Sequence, residues 1–551
     1  MNRRIIRTGV KLGITAVLAL LAIFVLDSWY RVLPTSIHNR LPAHHPGLVV
    51  TDITIQTCST LNPFSSCKLN EDDHWHRIEK DLYLGKGFLS KAYLHVQRKK
   101  EEELRKDEEL VFDIKIGRLP PAAAAHSKDE RWESRPAGLW IKKSAKRHIA
   151  DASKVVTGVD VLFGSDAADP RSNWEVQDIS LLLDSHTEGP EARLTVRKGP
   201  VLSIDKPVPR IRHDGKFKIM QAADLHLATG FGKCRDALPE GHNAGHCDAD
   251  LRTLEFVEKM LEEEKPDFIV LSGDQVNGDT APDSQTAIFK YSALFAKHKI
   301  PYAAIFGNHD DEGDLTRSQS MEIMDGLPYS LSTAGPPDVE GVGNYLIEIL
   351  GRAPTSHSAL TLYLLDTHSY SPEEHKYRGY DWVKPSQIDW FRSSIRSLKK
   401  KHAEYTHIHM DLAFIHIPLP EYRNPHNLPI VGNMSEPPTA PVFNSGFMDA
   451  LIDEGVVMVS CGHDHVNDYC VPGVSEKDGE KGKAKLWMCY GGASGFGGYG
   501  GYYGYHRRMR FFDIDMNEAR ITSYKRMEWG LTEERIDEQI LVDAGRVVVE
   551  F

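Results

Sequence analysis

Two rhythms divide the 551-residue chain. Between about residues 47 and 205, apolar and polar positions alternate over short stretches: GLVVTDITIQTC, KAYLHVQ, ELVFDIKIG, VDVLFGSD and ARLTVRKG. β-branched residues cluster in each, and turn signals separate them, so these segments predict strands. The charge run RKKEEELRKDEEL (Arg98–Leu110) reads as solvated surface, and LPPAAAAHSKDERWESRPAG as a Pro/Ala-rich loop. No internal repeat stands out. Prolines in KPVPRIRHDG mark a boundary near residue 210.

Beyond that boundary, apolar runs end in polar residues and alternate with amphipathic segments. KFKIMQAADLH, PDFIVLSGD, PYAAIFGNHDD, ALTLYLLDTHS, DLAFIHIPLPEY and VVMVSCGHDH predict buried strands. TLEFVEKMLEEEK predicts a helix with Leu254, Val257 and Leu261 on one face. SQIDWFRSSIRSLKKKH predicts a second, with Ser386 as N-cap, and SGFMDALIDEG a third. Strand–helix alternation is α/β logic. Ligand sites in open α/β sheets lie beyond the carboxyl ends of strands. Five strand ends here carry metal-type side chains or lead into them.

The N-terminus follows neither rhythm. Arg3, Arg4, Arg7 and Lys11 precede an apolar run from Leu12 to Leu26, and Trp29 and Tyr30 follow. The run is shorter than the roughly 20 residues of a typical spanning helix. No small-residue cleavage site follows, so an uncleaved signal anchor is expected. The flanking positive charge would keep the first residues cytosolic. The remainder would then be lumenal, vacuolar or extracellular; a cytoplasmic catalytic domain is the alternative. The expected domains are residues 1–34 (basic tail and membrane anchor), 35–209 (β-rich), 210–528 (catalytic) and 529–551 (C-terminal tail).

Seven cysteines fit an oxidising compartment. Cys58 and Cys67, Cys234 and Cys247, and Cys470 and Cys489 form three local candidate pairs, although spacing alone does not fix connectivity. Cys461 is left over. Asn433-Met434-Ser435 is a glycosylation sequon. A net charge of −12 argues against a nucleic-acid partner.

The polar strand ends are individually weak signals. Asp224 and His226 in DLH stand at i and i+2, a spacing that puts two strand residues on one side. His463 and His465 in GHDH repeat that spacing. Asp274 follows a glycine after a buried strand, an ordinary turn when taken alone. Asn308, His309 and Asp310 follow AAIFG in the same way. His416 sits between isoleucines, where a satisfied core histidine is the commoner case, and His407 and His409 share that bland reading.

Taken in order, D-x-H, G-D, G-N-H-D, a strand histidine and G-H-x-H resemble the metallophosphoesterase (calcineurin-like phosphoesterase) family. The resemblance runs from Lys216 to about Met527. It implies a double β-sheet sandwich flanked by helices (αββα). GHDHVNDYC, WVKPSQIDWF and FIHIPLPEY are also similar to fungal phosphatases called dose-dependent cell-cycle regulators and to small plant proteins classed with purple acid phosphatases. Asn277 departs from the purple enzymes, which carry a metal-binding tyrosine there, as does His226.

Carried over, the resemblance implies two metal ions. Asp224, His226 and His465 would hold one; Asn308, His416 and His463 the other; Asp274 would bridge them. Oxygen and imidazole ligands suit iron, manganese or zinc. A bridging hydroxide would attack phosphorus in line. His309 would serve the leaving oxygen, oriented by Asp310. The implied substrate is a phosphomonoester, on a small molecule or a phosphoprotein. A phosphodiesterase and a silent membrane-tethered binding protein are the alternatives. GGASGFGGYGGYYGYH reads as a loop needing glycine conformations, with a secondary role as a rim over phosphate. One of Arg507, Arg508 and Arg510 is expected to meet phosphate. Asp464 is expected to be a spacer between the two histidines or a supporting group behind them.

Overall fold

The computed structural model describes residues 47–549 apart from 60–66, 68, 70–73, 88, 106–107, 122–129, 146–153, 184–188, 424–428 and 475–483, together with scattered positions between 11 and 23. The expected anchor falls largely outside these residues. Among the described residues, no helix is long and apolar enough to cross a membrane. The chain forms two units: one through Ser165 with Arg171–Ser203, the other Asp166–Pro170 with Ile204–Phe551.

Alternation builds the first unit. In β1 (Leu48–Ser59), Ile53 and Ile55 are buried while Asp52, Thr54 and Gln56 between and beside them are half-buried. The other strands are β2 (Trp75–Arg77), β3 (Ser90–Lys100), β4 (Leu110–Ile116), β5 (Glu130–Ser134), β6 (Leu139–Ser144), β7 (Val156–Phe163), β8 (Trp174–Val176) and β9 (Ala192–Lys198). They pair in three sheets ordered β1-β3-β2, β4-β6-β5 and β7-β9-β8. Each sheet places its third strand in the centre, and all three share one core of Ile53, Leu94, Ile114, Ile141, Val161 and Leu194. This is a threefold repetition that the residue pattern hides. Each repeat retains only inward apolar positions, and its short edge strand spans just three to five residues. The Cys58–Cys67 disulfide belongs to this unit.

The second unit contains β10 (Lys216–Ala222), β11 (Phe268–Ser272), β12 (Tyr302–Ile305), β13 (Tyr345–Leu350), β14 (Ser358–Leu364), β15 (Met410–Phe414), β16 (Met458–Cys461), β17 (Cys470–Gly473), β18 (Leu486–Tyr490), β19 (Arg508–Asp515), β20 (Arg520–Met527), β21 (Ile536–Asp543) and β22 (Arg546–Val547). Its helices are α1 (Ala249–Glu264), α2 (Ser284–His298), α3 (Arg317–Asp325), α4 (Pro385–His402) and α5 (Phe447–Glu454). One sheet runs β12-β11-β10-β19-β20-β21-β22 and the other β13-β14-β15-β16-β18-β17. Within them, β10 to β12 are parallel, as are β14, β15, β16 and β18.

The two sheets bury one face against each other. Phe217, Ile219, Val270 and Ile305 share a core with Leu362, Phe414, Met458 and Trp487. Outside the second sheet, Tyr363, Ala413 and Ile415 meet Phe391 and Ile395 of α4 and Phe447 and Leu451 of α5. On the first sheet, Lys218 and Tyr524 alternate with inward residues and face outward. There they hold Glu264 at the end of α1: Lys218 Nζ donates at 2.6 Å, Tyr524 Oη at 2.7 Å, and Arg526 pairs with the same carboxylate. The expected αββα layering is the result.

Three expectations change. Residues 529–551 are not a tail: β21 and β22 extend the first sheet, because Leu541 and Val542 complete its apolar face. Trp487 Nε1 donates to the Leu541 and Val548 carbonyls at 2.9 and 3.1 Å. Ser386 does not cap α4. Lys384 is the N-cap and Pro385 takes the first turn, where its missing N–H costs nothing. The buried stripe of α1 is Phe256, Val257, Met260 and Leu261, with Leu254 only half-buried.

Glu264 supplies a stability prediction. Burial pushes its carboxyl up, but the bonds from Lys218, Tyr524 and Arg526 outweigh burial and hold it at about 2 rather than 4.5. The unfolded chain therefore binds more protons between those values. The stabilisation is full above pH 4.5 and lost as pH falls through about 2; by linkage it amounts to about 3 kcal/mol. Glu264→Gln should lose about that much at pH 7. In urea unfolding at pH 7 and pH 3, the variant should show a shallower pH dependence than the parent; equal slopes would remove this role.

Candidate metal centre

The parallel strands of both sheets end at one edge, and each predicted ligand follows such an end within four residues. Gln221 locks the two sheets together beneath them. Its Nε2 donates to Ser272 Oγ at 2.9 Å and to the Cys461 carbonyl at 3.0 Å, while Ser460 Oγ donates to its Oε1 at 2.6 Å. The ligand residues themselves are not extended. Asp224, His226, Asp274 and His463 have φ of 56°, 48°, 52° and 80°. The i, i+2 argument from strand geometry thus anticipates that these residues come together, but by the wrong route. Left-handed turns, not pleat alternation, aim these side chains, at a backbone cost of about 1–3 kcal/mol each.

Two clusters form and share Asp274. In the first, His226 Nε2 lies 3.0 Å from His465 Nε2 and 3.7 Å from Asp274 Oδ2, and His465 Nε2 lies 3.6 Å from Asp224 Oδ1. In the second, His416 Nε2 lies 3.2 Å from Asp274 Oδ2, 3.3 Å from Asn308 Oδ1 and 3.3 Å from His463 Nδ1. All seven side chains are buried.

Hydrogen bonds from behind fix two of the rings. His416 Nδ1 donates to the Ser272 carbonyl at 2.9 Å, and His465 Nδ1 to the Tyr499 carbonyl at 2.7 Å. A carbonyl only accepts, so each Nδ1 carries a proton and each Nε2 is the nitrogen turned to the cluster. Burial pushes His463 and His465 well below the ordinary histidine range, which keeps them neutral. Burial pushes the Asp224 carboxyl up. Burial also lowers the proton affinity of His416, but Asp274 outweighs it and raises that ring to about 9, and His416 in return holds the Asp274 carboxyl well down, so an ion bound there would displace a proton from His416 Nε2. His226 Nδ1 and His463 Nε2 are buried without a hydrogen-bond partner. Carboxylates, an amide oxygen and imidazole nitrogens converge here closely enough to share a cation. The donor set therefore fits a pair of iron, manganese or zinc ions.

His309 stands beside the clusters. Its backbone N–H donates to Asp274 Oδ1 at 2.8 Å, its ring centroid is 5.3 Å from that of His226, and its side chain is 32% exposed. The partner of its Nδ1 is Glu312 at 2.6 Å. This corrects the role expected for Asp310, whose carboxylate points inward. It accepts from the backbone N–H groups of Asp274, Val276 and Gly307 at 2.9, 2.9 and 2.7 Å. Asp310 stitches the two ligand-bearing turns together. Sequence reasoning missed Glu312, although an i+3 acid after a turn histidine was a usable signal.

The glycine-rich segment is shaped by contact. A Cβ on Gly495 would meet the Leu225 carbonyl oxygen at 1.9 Å, and one on Gly498 would meet His465 Cε1 at 2.3 Å and His226 Cδ2 at 2.6 Å. Tyr499 stacks on His465 with centroids 3.9 Å apart. The arginine expectation fails: all three are buried and committed elsewhere. Arg507 donates to the carbonyls of Gly495, Gly498 and Arg235 at 2.6, 2.9 and 3.0 Å. Arg508 pairs with Asp468, and Arg510 donates to the Tyr490 and Asp468 carbonyls.

Of the two roles open to Asp464, the structure shows the supporting one: Tyr490 and Thr439 both donate to its buried carboxylate. Asn277 Nδ2 donates to Thr280 within its own turn. Cys234–Cys247 and Cys470–Cys489 are disulfides, Cys461 is a buried thiol, and Asn433 is exposed. His402, His409 and Asp411 also come close together, but the two rings stack at 19°, so their lone pairs run parallel rather than converge.

Residues 217–467 match the model of the calcineurin-like phosphoesterases. Phosphatase DCR2 of Saccharomyces cerevisiae is 40% identical over 71% of this chain and 67% of its own length. The chain belongs to the calcineurin-like phosphoesterase family. A protein of Arabidopsis thaliana named probable inactive purple acid phosphatase 29 is 38% identical over 60% of this chain and 85% of its own length. A dimetal phosphatase from Danio rerio aligns in structure over 59% of this chain and 98% of its own, at 12% identity and a TM-score of 0.39. Family membership and the paired clusters together imply a dinuclear metal site.

Gly498→Val should displace the His226 and His465 rings. Elemental analysis of the purified variant should find about one metal ion fewer per chain, with an unchanged circular dichroism spectrum; full metal content would show that the close approach is dispensable.

Proposed function

We propose that this chain is a dinuclear-metal phosphatase that hydrolyses phosphomonoesters. The observation that carries the reading is the pair of acceptor clusters joined by Asp274, with a half-exposed histidine beside them. Asp224, His226 and His465 would hold one ion, Asn308, His416 and His463 the other, and Asp274 both. Two such ions supply a water-derived nucleophile at neutral pH and neutralise phosphate charge.

The protein's own groups do the rest. Ser272 and Tyr499 hold the His416 and His465 rings in the donating tautomer. Asp310 keeps the turns carrying Asp274 and Asn308 in register. His309 is the proton donor to the leaving oxygen. Glu312, bonded to its Nδ1 at 2.6 Å, favours the protonated ring, which can then carry the proton it must deliver. Glu312, bonded to the far nitrogen, fixes which nitrogen faces the substrate.

The Arabidopsis relative is named as inactive, but none of the seven acceptor residues is missing from this chain. The substrate in this reading is a phosphorylated small molecule or a phosphoprotein, and no nucleic-acid partner is expected. Three disulfides favour a lumenal, vacuolar or extracellular catalytic domain; in this reading the basic residues and apolar run within residues 1–34 would anchor it.

Asp274→Asn should remove metal and activity together. His309→Ala should retain both ions in elemental analysis while turnover of p-nitrophenyl phosphate falls about 10²–10⁴-fold. Unchanged turnover would end the role given to His309. Faster hydrolysis of bis-p-nitrophenyl phosphate than of the monoester would reassign the enzyme as a diesterase.

Glu312→Gln should lower monoester turnover roughly tenfold with metal content intact, because the His309 ring would keep an acceptor but lose the negative charge that favours its protonated form. A variant as active as the parent would leave Glu312 without a part in the reaction.

A further inference from the structure

The segment from Ser369 to Asp381 returns on itself beside the metal centre. Asp381 N–H donates to the Ser369 carbonyl at 2.9 Å, and Ser371 N–H to the Gly379 carbonyl at 2.8 Å. These two bonds flank Tyr370 and Tyr380, which are antiparallel bridge partners. The tyrosines are therefore a non-hydrogen-bonded pair, the register in which cross-strand side chains come closest. Their rings stack with centroids 5.3 Å apart and planes 21° apart.

Both ends of this pair are tied to the site. Tyr380 sets its ring edge-on to His463, with centroids 4.3 Å apart and planes at 90°. Ser369 Oγ donates to the Asn308 carbonyl at 3.3 Å, which seats the segment against the turn that carries His309. The acidic groups Glu312 and Asp274 are close enough to raise the affinity of the Tyr370 phenol for its proton, after burial. Aromatic rings thus lead outward from a predicted metal ligand to the side where His309 would meet the leaving group. The outermost, Tyr370, remains 57% exposed.

The opposite lip differs. Tyr499 lies flat on His465, and the hydroxyls of Tyr499 and Tyr502 both donate to Glu436, at 2.7 and 2.8 Å. The Tyr499 ring on that lip packs on His465, and Tyr502 and Tyr503 beyond it remain exposed. The Tyr370–Tyr380 segment instead is seated against the turn that carries His309.

We propose that Tyr370 and Tyr380 form a leaving-group subsite that takes the ring of an aryl phosphate, a phosphotyrosyl side chain or a free phenolic ester alike. This rests on the phosphomonoesterase reading. A planar leaving group would lie against the Tyr370 ring while its bridging oxygen stands near His309. An alkyl leaving group would gain no such contact. Aromatic pairs add about 0.5–1.5 kcal/mol beyond area burial, which corresponds to a preference of roughly two- to tenfold.

The test uses the metal-loaded full chain and Tyr370→Ala, a change at an exposed position. The quantity read is the ratio of kcat/KM for phosphotyrosine to that for phosphoserine, each as free amino acid and within one peptide sequence. Tyr370→Ala should lower this ratio roughly fivefold, and Tyr370→Phe should restore it. An unchanged ratio in Tyr370→Ala overturns the subsite. A drop confined to the peptide arms places the recognition in flanking residues and overturns it as well. Calorimetric binding of phenylphosphonate against methylphosphonate gives the same ratio without turnover. If the parent hydrolyses no ester but still prefers phenylphosphonate, and Tyr370→Ala loses that preference, the phosphatase reading fails and the subsite stands.

Discussion

The second unit is organised around a crowding of buried polar groups. Two carboxylates, an amide oxygen and four imidazoles converge within a few ångströms, in a place closed to water. No local preference would produce this. It is imposed from outside, by a two-sheet core that brings the ends of seven parallel strands to one edge and by the Gln221 amide that bonds both sheets just beneath. Asp310 then ties the turns to each other through three backbone N–H groups. The apolar sandwich is what allows an unfavourable polar arrangement to persist until metal relieves it.

This explains where the strain lies. Four of the seven acceptor residues have left-handed backbone dihedrals, which side chains other than glycine seldom adopt. Backbone strain of this kind persists only where surrounding structure over-determines it. Here the glycines pressed against Leu225, His226 and His465 supply that over-determination from one side.

The cluster of seven acceptor residues was legible in the sequence because it sits at strand ends, and strand ends are marked by the change from apolar to polar. The order of the five motifs did the remainder. What stayed hidden depends on where side chains turn after the strand. Asp310 and Glu312 lie two residues apart in one turn, yet only the folded turn shows that the first faces backbone and the second faces His309. The arginines of β19 and its approach looked like phosphate ligands until their carbonyl partners appeared. Helix α2 escaped notice because it is buried on most sides, including Lys290, whose ammonium binds the Ala228 and Gly230 carbonyls and leaves no polar stripe. The threefold N-terminal unit was illegible for the opposite reason. Its repeats conserve a pairing order rather than residues.

The glycine contacts also bear on how the protein can diversify. Where a Cβ would strike a ligand-ring atom, every side chain is forbidden, so that lip of the site cannot be varied without dismantling the centre. The Ser369–Asp381 hairpin is held by backbone bonds and accepts other side chains at its tips. Lineages that change substrate would therefore be expected to rewrite the hairpin and leave the glycine segment untouched.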